Sequence, residues 1–118
     1  MFSEAVLDHF KNPRNAGELA EATAIVEVSN PVCGDIMRLA ARIEGGRIVE
    51  VRFKTRGCVT AIACGSLLTE MICGKSLVEL RGITSAQIST ALGGLPPATV
   101  HGSQLACDAL EELLAKLA

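Results

Sequence analysis

From Ile36 to Thr55 apolar and polar residues alternate, and Gly45-Gly46 divides the run in two. In the first half Met37, Leu39, Ala41 and Ile43 oppose Arg38, Ala40, Arg42 and Glu44. In the second half Val49, Val51 and Phe53 oppose Glu50, Arg52 and Lys54. A period of two with charges on one side is the pattern of antiparallel strands that bury one face. Two adjacent glycines suit a two-residue hairpin turn, where both positions want positive φ. Strands are therefore predicted over about 36–44 and 47–55. A third apolar-rich stretch, about 24–28, can extend the sheet.

Around this hairpin the period is helical. Ala5, Val6, His9 and Phe10 share a face of a helix over about 3–12, which ends before Pro13. The segment "NPRNAGELAEAT" reads as a loop. After Cys58, "TAIACGSLLTEMIC" reads as a helix that stops before Gly74. Short helices are predicted at about 77–80 and 85–92, and "GGLPP" interrupts them. A last helix over about 103–117 puts Ala106, Ala109, Leu110, Leu113 and Leu117 inward. The fold class is α+β: a small three-stranded antiparallel sheet packed against helices. The 118 residues read as a single domain, 1–118, with no repeat or linker.

Composition narrows the function. Hydrophobic residues make up 49% of the chain and aromatic ones 3%, so the core is aliphatic. Stacking platforms for single-stranded nucleic acid are missing, and a net charge of −2 with no basic run argues against a nucleic-acid partner. No apolar run approaches the roughly 20 residues that span a bilayer, so no membrane role is expected. The N-terminal stretch lacks the parts of a signal peptide, which gives a cytoplasmic expectation. The cysteines are five, an odd number: Cys33, Cys58, Cys64, Cys73 and Cys107. A disulfide framework is not expected in that compartment, which leaves metal ligation, thiol chemistry or core packing.

Four residues stand where a site would be built. Cys33 and Asp35 lie in "NPVCGD", a turn-forming segment at the start of the second strand. Cys58 lies at the junction of the third strand and the long helix, and His101 just before the last helix. A helix N-terminus favours negative charge, so the Cys58 thiol is expected to have a lowered pKa. Two thiolates, a carboxylate and an imidazole suit tetrahedral zinc, and they could also hold a [2Fe–2S] unit. The wide spacing leaves scattered core cysteines and a surface histidine as the competing reading. Cys64 and Cys73 read as small buried hydrophobes. Cys107 lies at the edge of the last helix's apolar face, with sulfur relay as the alternative. His9 reads as a packed, hydrogen-bonded histidine.

The segments "FSEAVLDHFKNPRNAG" (2–17), "NPVCGD" (30–35), "GCVTAIACGSLLTEMICGKS" (57–76) and "LPPATVHGSQLACDAL" (95–110) cover almost the whole chain. In them it resembles the U-type iron–sulfur cluster assembly scaffolds, the IscU/NifU N-terminal type. The resemblance implies a non-enzymatic scaffold or carrier. Such a protein receives sulfur from a cysteine desulfurase, binds iron, assembles a transient [2Fe–2S] cluster and passes it to recipient apoproteins. By position it assigns Cys33, Asp35, Cys58 and His101 to cofactor and metal binding, with zinc able to occupy the same site in purified protein. The alternative is a divergent paralogue with a zinc or iron site, acting as a regulator or sulfur-relay partner. The bacterial sulfur-mobilisation relative, with an insertion before the last helix, fits less well because no insertion is visible.

Two departures matter. The family pattern His-Cys-Ser is here His101-Gly102-Ser103, so the third assembly-site cysteine is absent. A site with one thiolate fewer is expected to hold a more oxidising and more labile cluster. In "LPPAT", Ala98 and Thr99 replace the residues expected in a chaperone-recognition segment, which leaves a chaperone partner open.

Overall fold

The computed structural model describes residues 2–31, 34–95 and 100–117. The elements run α1 (Glu4–Lys11), β1 (Ala24–Ser29), β2 (Ile36–Glu44), β3 (Arg47–Arg56), α2 (Val59–Ile72), α3 (Leu77–Leu80), α4 (Ser85–Ala91) and α5 (His101–Leu117). The three strands form one antiparallel sheet in the order β1-β2-β3. Gly45 and Gly46 have φ of 60° and 75°, as the β2–β3 hairpin requires. Met37, Leu39, Ala41, Val51 and Phe53 are buried on the inner face.

The third strand departs from the simple alternation. Arg42 pairs with Glu50 and Ile43 with Ile48, so Val49 has no opposite residue. This β-bulge inverts the strand beyond it. Ile48 enters the core and Val49 turns outward, 41% exposed, although alternation placed Val49 inside.

The free edge of β3 is covered by two loops. Phe53 N–H donates to Asn15 O and Gly17 N–H to Phe53 O, both at 2.9 Å. Nearer the hairpin, Ile48 N–H donates to Lys75 O at 3.0 Å and Gly74 N–H to Ile48 O at 2.7 Å. Edge groups that would otherwise template further strands are thereby satisfied.

α2 is the axis of the core. It is apolar around most of its circumference, and most residues from Thr60 to Ile72 are buried between the sheet, α1 and α5, with Glu70 left exposed. α1 is capped by Ser3, whose Oγ accepts from Val6 N–H, and it buries Val6 and His9. The short α3 and α4 each begin with a capping box, Ser76 with Glu79 and Thr84 with Gln87. Among the described residues no helix is long and apolar enough to cross a membrane.

Candidate functional site

The segment 30–35 is the connection between β1 and β2, since Ser29 pairs with Ile36. Its ends are bonded to each other: Asn30 N–H donates to Asp35 O at 2.9 Å and Gly34 N–H to Asn30 O at 2.7 Å. Asp35 is thereby held at the first residue before β2, and its side chain is buried, 8% exposed. Gly57 makes room for it. A Cβ on Gly57 would lie 2.5 Å from Asp35 Cγ and 2.6 Å from Oδ1. The carboxylate fills the space a side chain at 57 would take, and so reaches the next residue, Cys58.

Cys58 is the N-cap of α2. Ala61 N–H donates to its Sγ at 3.4 Å, and its S–H donates to Asp35 Oδ2 at 3.4 Å. The thiol is thus helix-capping and carboxylate-bound at once, while the residue stays exposed. Burial of the sulfur pushes its pKa up, and the Asp35 carboxylate adds to this, against the lowering pull of the Ala61 and Thr60 N–H groups. The net direction is upward. This corrects the expectation of a lowered pKa from the helix N-terminus alone, because burial of the sulfur, joined by a carboxylate 3.4 Å away, penalises the thiolate.

That same juxtaposition fits a shared cation. Bond lengths of about 2.3 Å to sulfur and about 2.0–2.2 Å to oxygen, at a tetrahedral angle, put two donor atoms about 3.5 Å apart. The Cys58–Asp35 separation is 3.4 Å. A cation between them would take the place of the shared proton and offset the repulsion between thiolate and carboxylate.

The last helix begins earlier than expected, at His101 instead of about Ser103. Tertiary contact overrides the low helix propensity of glycine here. Gly102 is buried against the first turn of α2, where a Cβ would lie 3.0 Å from Thr60 Cγ2 and 3.1 Å from Ala61 N. His101 is therefore a helical residue, exposed at the start of α5, one position from this seat. Among the described residues no group of three or more His, Cys, Asp or Glu side chains is arranged to hold a metal. The structure brings Asp35 and Cys58 into contact and does not add His101 to them. Cys33 lies outside the described residues, as do Pro96, Pro97, Ala98 and Thr99 of the "LPPAT" segment.

The remaining cysteines divide. Cys64 is fully buried and its thiol is pushed up to about 12, chiefly by desolvation. Cys107 is part of the core, 8% exposed, with Sγ 3.9 Å from Glu111 Oε1. Cys73 is exposed at the C-cap of α2, which corrects its reading as a buried hydrophobe. The helix ends just where its apolar face would have covered that residue. His9 is buried and bonded, with Nδ1 2.7 Å from Ser66 Oγ and Nε2 3.3 Å from Glu70 Oε1.

A groove of about 720 Å³ opens beside the site, lined in part by Ile36, Arg38, Lys54, Arg56 and Ile62. Arg38 pairs with Glu27 at 3.6 Å and Lys54 with Glu18 at 3.0 Å. Two contributors to the site escaped the sequence reading. Gly57 was visible only as a residue next to Cys58, and Thr60 only as a polar residue early in a helix.

The fold is an α+β domain in which a thiol at the start of a helix meets a carboxylate beside a strand connection. The chain belongs to the NifU-like N terminal domain family, whose profile matches residues 1–117. It is 45% identical over 114 residues to an iron-sulfur cluster assembly scaffold protein IscU 1 of Archaeoglobus fulgidus, covering 97% of this chain and 74% of that one. It is also 45% identical over 118 residues to the IscU scaffold protein of Haemophilus influenzae, covering 97% and 93%. Among solved structures it is similar to a protein of Fervidobacterium islandicum described as an iron–sulfur cluster assembly scaffold for a SUF system. That likeness has a TM-score of 0.79 at 25% identity and covers 96% of each chain.

Proposed function

We propose that this protein is a scaffold or carrier for iron–sulfur cluster assembly in the cytoplasm, with iron and a transient [2Fe–2S] cluster as its cargo. Membership of the NifU-like family and the names of its relatives support the role. The observation that carries the assignment to particular residues is the 3.4 Å contact of Cys58 Sγ with Asp35 Oδ2. In the empty state Asp35 keeps the Cys58 proton in place. Arriving iron displaces that proton, and the sulfur and the oxygen become its neighbouring donors. Cys33, on the adjoining connection, supplies the second thiolate, and His101, exposed at the start of α5, completes the set.

Asp35 is a hard oxygen donor beside soft sulfurs, and it gives the cargo a weak point through which to leave. A cysteine desulfurase supplies sulfur and apoproteins receive the product. The test is anaerobic reconstitution with ferrous iron and sulfide, followed by visible absorption and transfer to an apo-ferredoxin. The expected result is a [2Fe–2S] chromophore that moves to the ferredoxin, and its loss in Cys58→Ala. A protein that develops no chromophore, or one that Cys58→Ala leaves intact, overturns the proposal.

A further inference from the structure

Gly102 sits in the first turn of α5 with its α-carbon facing α2. A Cβ there would meet Thr60 Cγ2 at 3.0 Å, and the Ala61 nitrogen and Thr60 carbonyl carbon at 3.1 Å each. Two of these three atoms are helix backbone and cannot swing aside. The third belongs to a β-branched side chain with few rotamers open to it in a helix. α5 cannot simply retreat, because Ser103, Leu105 and Ala106 behind Gly102 are essentially fully buried in the core.

Thr60 itself is 1% exposed, and its hydroxyl oxygen is buried with no hydrogen-bond partner among the described residues. A hydroxyl in that state is destabilising, so the polar group does not explain the residue. The methyl group, seated on Gly102, is its evident contribution. The neighbouring Ala61 N–H donates to Cys58 Sγ at 3.4 Å. The Ala61 nitrogen thus borders both the cap sulfur and the space a side chain at 102 would need.

We infer that Thr60 is a specificity-determining residue of the site: its methyl group, with the α2 backbone beside it, crowds the α2–α5 contact so that a side chain at position 102 fits only where its neighbours give by a few tenths of an ångström. No third sulfur can be added next to Cys58 from α5 unless that contact is first opened. The inference rests on the cluster-handling reading for its consequence, but the closure can be tested without any cluster.

The first experiment is thermal unfolding of the full-length, metal-free protein with Gly102→Ala, Thr60→Ser and the two combined. Gly102→Ala is expected to lower Tm by about 5 °C through overpacking. In the combined variant Thr60→Ser returns part of that loss, so that it is more stable than the sum of the single effects allows. Strictly additive effects overturn the inference. The second experiment measures cluster lifetime after anaerobic reconstitution with ferrous iron and sulfide. Gly102→Cys alone is expected to leave the lifetime unchanged, and Gly102→Cys with Thr60→Ser to extend it by about tenfold. A single Gly102→Cys exchange that extends the lifetime as far as the combined variant also overturns it. If the thermal effects are coupled while no variant, nor the unaltered protein, develops a chromophore, the closure stands and the proposed function falls.

Discussion

Cys58 carries two opposing demands. As a helix cap it accepts from Ala61 N–H, and as a thiol it donates to Asp35. The balance of burial and the Asp35 carboxylate holds its pKa above the ordinary thiol value. Replacing Asp35 by Asn removes the charge and keeps the size. The pH at which Cys58 reacts with iodoacetamide, followed by peptide mass spectrometry, should therefore move down in Asp35→Asn. Cys64, with its thiol near 12, should stay unmodified at neutral pH in the same sample. Thr60 makes a separate prediction. Thr60→Val keeps the branched shape and removes a buried hydroxyl that has no partner among the described residues. It should leave stability unchanged or raise it by about 1 kcal/mol, as read from urea unfolding.

At the level of the elements, the bulge in β3 is the decisive irregularity. It exchanges the faces of Ile48 and Val49 between the hairpin turn and the rest of the strand. Simple alternation would make Val49 a core residue and Ile48 a surface one. The structure predicts the reverse costs: Ile48→Ala should lose about 2–5 kcal/mol, and Val49→Ala should stay within about 0.5 kcal/mol. Urea titration of the two variants decides between the patterns, and equal losses would count against the bulge. The closely approaching glycines act at the same scale. Gly57 lets the end of β3 pass the Asp35 carboxylate, and Gly102 lets α5 rest on α2. Each turns a contact between elements into the position of a functional side chain.

Over the whole molecule, the N-terminal helix is tied to the central one through His9. Ser66 Oγ already accepts from Arg14 N–H at 2.8 Å, so its own proton is free for His9 Nδ1. The imidazole then keeps its Nε2–H toward Glu70, and both nitrogens are satisfied in the neutral ring. Burial, helped by the Arg14 guanidinium, pushes the His9 pKa below its ordinary value despite the opposing pull of Glu70 and Asp8. The unfolded chain therefore takes up the proton first as pH falls. This contribution to stability is intact above about pH 6.5 and is lost as pH drops through the lower folded-state value. Urea unfolding at a series of pH values should show that decline, and His9→Gln should flatten it. A wild-type curve that rises between pH 7.5 and pH 5 would show the sign to be wrong.

Periodicity alone determined most of the architecture. The alternation with its paired glycines specified the hairpin, and the switch to helical spacing after Cys58 specified the central helix. The segments that bear Asp35 and Cys58 were legible as a turn and a helix start, because both are written locally there. Tertiary structure decided what depends on atoms far apart in the chain. The protonation of Cys58 turns on its burial and on a carboxylate 23 positions away, and the entry of Ile48 for Val49 on a register shift against β2. The earlier start of α5 turns on the fit of Gly102 against Thr60. Local sequence encodes the period of a segment, whereas desolvation and close approach arise only when separate segments meet.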